Sequence, residues 1–106
     1  MLVESIKAGL VELNTSEGRR MVKCGERVTV DDRLGQKMIE KGLAVAVEPG
    51  QPSPTARARY TGANHEVFVE VGSYRGRVPA GEVVELPLYV VAELVDRDPG
   101  RWRREL

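Results

Sequence analysis

Apolar and polar residues alternate along Leu2-Val3-Glu4-Ser5-Ile6-Lys7-Ala8, the period-two pattern of a half-buried strand, and Leu10 to Leu13 continues that strand or pairs with it. Ser16-Glu17-Gly18 reads as a turn, Met21-Val22-Lys23-Cys24 as a short strand, Gly25-Glu26 as a second turn, and Arg27-Val28-Thr29-Val30 as a strand with Val28 and Val30 on one face. At Asp31 the period changes. Asp31 or Asp32 can cap a helix, and Leu34, Met38 and Ile39 form one apolar stripe over about ten residues, with Gly42 as the stop. Leu43-Ala44-Val45-Ala46-Val47 suits a buried or edge strand, helix being the weaker reading at that length.

The same pattern then recurs. His65 to Val71 alternates like a strand, Gly72-Ser73 turns into Tyr74 to Val78, and Pro79-Ala80-Gly81-Glu82 turns again into Val83 to Leu86. Pro87 stands at a helix start, and Val90, Val91, Leu94 and Val95 form the stripe of a helix ended by Asp98-Pro99-Gly100. Gly25-Glu26 falls on Gly81-Glu82 at an offset of 56 positions, and Val11 on Val67, Leu13 on Val69, Val22 on Val78, Leu34 on Val90 and Met38 on Leu94 without a gap. The apolar framework repeats and the reactive side chains do not.

These patterns predict an α+β fold of two similar small β-hairpin-plus-helix units, 1–48 and 59–106, joined by a Pro-rich linker over 49–58. That segment holds Pro49, Pro52 and Pro54 and no large apolar side chain, the composition of an extended connector. Arg101-Trp102-Arg103-Arg104-Glu105-Leu106 reads as a basic C-terminal tail around the single Trp.

Composition narrows the function. Of 106 residues 42% are apolar and 30% charged, so the chain is globular, and with one Phe, one Trp and three Tyr its core must be built from aliphatic side chains. Sixteen basic and sixteen acidic residues leave no net charge, which argues against a nucleic-acid or anionic-membrane binder driven by bulk electrostatics. One cysteine allows no internal disulfide, no run approaches the roughly eighteen apolar residues of a membrane helix, and no signal-peptide segment is visible, so the expectation is synthesis in the cytoplasm. Abundant Glu, Arg and Lys against four amides (Asn14, Gln36, Gln51, Asn64) hint at a hot environment.

Candidate chemistry is sparse. Cys24 and His65 are single residues of their kinds, and Cys24 falls on Ala80 in the repeat, a small apolar slot where an inert thiol fits better than a nucleophile. Asp31-Asp32 suits capping better than metal ligation, and no Gly-rich phosphate loop occurs. The expectation is no catalytic residue, no metal and no cofactor. Large side chains without an assigned core place, Trp102, Arg101, Tyr89, Phe68 and Tyr74, are the expected partner-binding residues.

The stretch Val22-Lys-Cys-Gly-Glu-Arg-Val28 through Asp31-Asp-Arg-Leu34 and Met38 to Gly42-Leu-Ala44 resembles a short module common in small structural-gene reading frames of tailed phages and prophages. Val78-Pro-Ala-Gly81-Glu-Val-Val84-Glu-Leu86-Pro87 is similar to a variant in which proline opens the helix; it carries Asp96-Arg97-Asp98 where the module has Gly-x-Ala. The resemblance implies a non-enzymatic virion protein, a capsid decoration or head-completion subunit present in many copies or as a homo-oligomer, with major capsid or other virion proteins as partners. It brings no catalytic residue. The alternative is a small nucleic-acid-associated regulator using Arg57, Arg59, Arg75, Arg77 and the terminal arginines as a stripe.

Overall fold

In the computed structural model, which describes residues 1–15 and 17–105, the alternation at the start of the chain becomes β1 (Leu2–Ser5). β1 is the middle strand of an antiparallel sheet ordered β4-β1-β5, with β4 (Arg27–Thr29) on one side and β5 (Ala44–Ala46) on the other. Val3 stands opposite Val28 and Ala46, so these side chains share the face of the sheet that is packed with apolar residues. Between β1 and β4 the chain makes a separate hairpin, β2 (Leu10–Thr15) with β3 (Gly18–Lys23), in which Val11 faces Val22 and Leu13 faces Arg20. Strand β2 therefore pairs with β3 and does not extend β1. Of the expected tip, Ser16 lies outside the described residues, while the Thr15 hydroxyl donates to the Gly18 carbonyl at 2.8 Å.

Helix α1 (Asp32–Glu40) starts as the sequence predicts. The Asp31 carboxylate accepts the Leu34 N–H at 2.8 Å, satisfying a donor that has no partner inside the helix. Met38 joins Val3, Leu13, Val22, Val28, Val30 and Ala44 in one buried apolar cluster, and Gly42 turns the chain into β5 at a φ of 72°.

The second unit is built around β6 (Thr55–Tyr60), the middle strand of an antiparallel sheet ordered β10-β6-β9, flanked by β9 (Val83–Pro87) and β10 (Trp102–Glu105). Its hairpin is β7 (Glu66–Val71) with β8 (Tyr74–Pro79), Val67 facing Val78. Helix α2 (Leu88–Arg97) follows β9 directly, with Pro87 at the N-cap and Tyr89, Val90, Val91 and Leu94 buried. Ala58, Tyr60, Val69, Val78, Leu86 and Trp102 are buried in the same unit. The chain as described has ten strands, all in antiparallel sheets, and two helices: an α+β protein, mostly β.

Two expectations need correction. The compact units are Met1–Ser53 and Pro54–Leu106, and the expected linker 49–58 loses residues 55–58 to strand β6. What remains of it is fastened to the first unit. The Arg27 guanidinium donates to the Glu48 carbonyl at 3.3 Å and to the Gln51 carbonyl, Gln51 Oε1 accepts the Glu48 N–H at 2.8 Å, and the Ser53 hydroxyl donates to Glu4 Oε1 at 2.9 Å. Nor is the basic segment a loose tail: residues 102–105 form strand β10 against β6, with Trp102 buried and Arg103 and Arg104 exposed, the final Leu106 lying outside the described residues.

Candidate docking surface

A two-stranded hairpin presents one face inward and one outward, and paired residues share a face. On β7–β8 the inner face carries Val67, Val69, Val71 and Val78, of which Val69, Val71 and Val78 are buried. The outer face pairs Glu66 with Pro79, Phe68 with Arg77 and Glu70 with Arg75. Phe68 is 58% exposed at its centre. On either side the charges are matched: Arg77 Nη1 lies 3.5 Å from Glu66 Oε1, and Arg75 Nη2 lies 3.1 Å from Glu70 Oε1. Such exposed pairs stabilise the fold by at most about 1 kcal/mol each. Their effect on the surface is to neutralise a polar rim around one large apolar side chain.

The hairpin β2–β3 has an outer face of the same kind. It carries Leu10, Lys23, Glu12, Met21, Asn14 and Arg19, and Leu10 and Met21 are 57% and 51% exposed. Arg19 Nε pairs with Glu12 Oε1 at 3.3 Å. Leu10 and Met21 were not among the expected binding residues. A signal for them exists, because at the 56-position offset they stand against Glu66 and Arg77, so apolar residues occupy places that are charged in the other half.

The five expected binding residues divide by burial. Phe68 is exposed and Tyr74 half-buried at the start of β8. Arg101 is exposed with its Nε 3.8 Å from Asp98 Oδ2. Trp102 and Tyr89, in contrast, are core. Trp102 is 5% exposed and its ring meets that of Tyr60 at a tilt of 50° with 5.1 Å between centroids, Tyr60 standing directly opposite it across the ladder, and Tyr89 is buried on α2. The sequence showed a Trp between arginines and could not show that the strand turns it inward.

The reactive residues sit in structural places. Cys24 is half-buried at the end of β3, its N–H donating to the Gly9 carbonyl at 3.2 Å. His65 is exposed before β7, and its carbonyl accepts the Ala80 N–H at 2.8 Å. Asp32 lies 3.6 Å from the amino terminus. Among the described residues no group of three or more His, Cys, Asp or Glu is placed to hold a metal ion. No described helix is long and apolar enough to cross a membrane. Of the seven arginines named for a nucleic-acid stripe, four lie beside carboxylates: Arg59 is 3.3 Å from Glu105, and Arg75, Arg77 and Arg101 are paired as above.

Comparison with protein-family models, with curated proteins and with solved structures found no match.

Proposed function

We propose that this chain is a non-enzymatic structural protein of a tailed-bacteriophage virion, a capsid decoration or head-completion subunit made in the host cytoplasm, which docks on capsid or sister subunits through the outer faces of its hairpins. The observation that carries the docking reading is Phe68, more than half exposed in the middle of a strand and bracketed by two matched ion pairs. A large aromatic side chain inside a neutralised polar rim has the anatomy of a binding hot spot. The virion assignment itself draws on the resemblance of residues 22–44 and 78–94 to phage structural modules.

The same reading takes the two units as copies of one module. Each runs strand, hairpin, strand, helix, strand, and each sheet has its first strand in the middle. The hairpin registers agree pair for pair at the 56-position offset, Val11 with Val22 and Val67 with Val78, Asn14 with Arg19 and Glu70 with Arg75. Residues 49–54 then serve as the Pro-rich connector. Two modules per chain, and many chains on a symmetric shell, would convert weak single contacts into strong attachment. The rival nucleic-acid reading is disfavoured by the carboxylates beside four of its arginines, Arg59, Arg75, Arg77 and Arg101.

The test is co-sedimentation of the purified protein with capsids of the phage whose genome encodes it, at low and high salt, beside a light-scattering mass. Capsid binding that persists at high salt and is lost in Phe68→Ser supports the reading, since apolar contact survives screening. Binding to nucleic acid that weakens steeply with salt, with no capsid binding, overturns it.

A further inference from the structure

The first unit also has an open strand edge beside a cleft. Backbone groups of β4 alternate between β1 and the outside: the Glu26 carbonyl accepts the Ser5 N–H at 3.0 Å and the Val30 N–H donates to the Met1 carbonyl at 2.9 Å, so residues 26, 28 and 30 face β1 while Arg27 and Thr29 face away. Thr29 is exposed, and among the described residues nothing hydrogen-bonds to its N–H or carbonyl. Along this edge runs a cleft of about 490 Å³, walled by Thr15 and Arg20 of the hairpin and floored by Val28, Val30 and Leu34. Glu17 and Asp31 stand exposed at its rim. The guanidinium of Arg20 is 3.6 Å from Glu26, so the uncompensated charge at the rim is negative.

We propose that this edge binds an extended peptide segment of another protein as an added strand, with alternate apolar side chains on the Val28-Val30-Leu34 floor and a Lys or Arg beside Glu17 and Asp31. An unpaired strand edge supplies the main-chain hydrogen bonds, the apolar floor supplies pockets for alternate residues, and the acidic rim selects the charge. A phosphate-bearing ligand would meet the wrong sign. The corresponding edge in the second unit offers one backbone donor fewer. The outward positions of β9 are Val83, Glu85 and Pro87, and Pro87, which lacks an N–H, occupies the place held by Asp31 at the 56-position offset. The proposal stands apart from the virion reading, and capsid binding does not decide it.

The experiment titrates the ¹⁵N-labelled full chain with two synthetic hexapeptides, (Lys-Val)₃ and (Glu-Val)₃, following amide shifts. The expected result is saturable binding of (Lys-Val)₃ with shifts confined to Thr29, Val30, Arg20 and their neighbours, and none with (Glu-Val)₃. Glu17→Lys, an exposed change, should weaken binding about fivefold, the size of one surface charge contact. Thr29→Pro, with its fold checked by the unshifted spectrum of the second unit and of α1, should abolish it. Equal binding of both peptides, shifts located elsewhere, an affinity unmoved by Glu17→Lys, or no shift at millimolar peptide each overturns the proposal.

Discussion

Arg27 Nε donates to Glu4 Oε1 at 3.1 Å, joining a carboxylate that is 1% exposed to a guanidinium that is one quarter exposed. The two stand directly opposite each other on β4 and β1, on the face of the sheet away from Val3 and Val28. The asymmetry in burial decides what each mutation does.

Arg27→Met should destabilise the protein by about 3–5 kcal/mol, because it leaves a buried carboxylate without its cation and also releases the Glu48 and Gln51 carbonyls. Glu4→Gln should cost about 1–2 kcal/mol, since Arg27 keeps both carbonyls and reaches water. Denaturant unfolding of the two variants checks the order. Equal losses would mean that the charge on Glu4 is not the penalised one.

Gly62, Tyr60 and Trp102 form a second dependence. A Cβ built on Gly62 would run into the Tyr60 hydroxyl and ring, and Tyr60 is held against Trp102. Gly62→Ala is therefore expected to destabilise by about 1–3 kcal/mol through overpacking, and Trp102→Ala by about 3–5 kcal/mol through loss of a core aromatic. As the single Trp of the chain, Trp102 should emit at short wavelength when native and shift red on unfolding. A native spectrum already typical of water would contradict its burial.

Much of this fold was legible in local pattern, and the failures share a cause. Strands β7 and β8, helix α1 with its Asp31 cap and helix α2 stood out because large aliphatic residues mark their buried positions at period 2 or 3.6. Strand β6 escaped because Thr55-Ala-Arg-Ala-Arg-Tyr60 buries Ala58 and Tyr60, and an alanine between arginines carries little apolar signal. Its alternation of Ala56, Ala58 and Tyr60 with Arg57 and Arg59 was the available clue. Strand β10 escaped in the same way, with Trp102 the inward residue of a short segment whose arginines face solvent. Of the exposed apolar residues on the hairpins, Phe68 was named and Leu10 and Met21 were not, because exposure of an apolar strand residue depends on which hairpin face meets the core.

The Gly-Glu turn gives a purely conformational prediction. Gly25 and Gly81 have φ of 88° and 81°, and a Cβ on Gly81 would meet nothing within 4 Å. The cost of a side chain there is backbone strain alone, about 1–2 kcal/mol for Gly81→Val, and clearly less for Gly81→Asn, which tolerates the left-handed region. Thermal melts of the two variants measure it. A loss as large for Asn as for Val would place the requirement in packing.

Phe68 and Val69 are neighbours in sequence on opposite faces of β7, and the contrast between them separates docking from stability. Val69 is 2% exposed, so Val69→Lys forces a charge into the packed face and should cost at least about 3 kcal/mol. Phe68→Lys changes a side chain that already meets water and stands opposite Arg77; its effect on the melt should stay within about 0.5 kcal/mol, with added repulsion from that arginine included. If Phe68 serves the fold, both variants lose stability and any loss of partner binding follows from unfolding. If it serves a partner, Phe68→Lys melts like the parent while its association is lost, and that pairing of outcomes is the one expected.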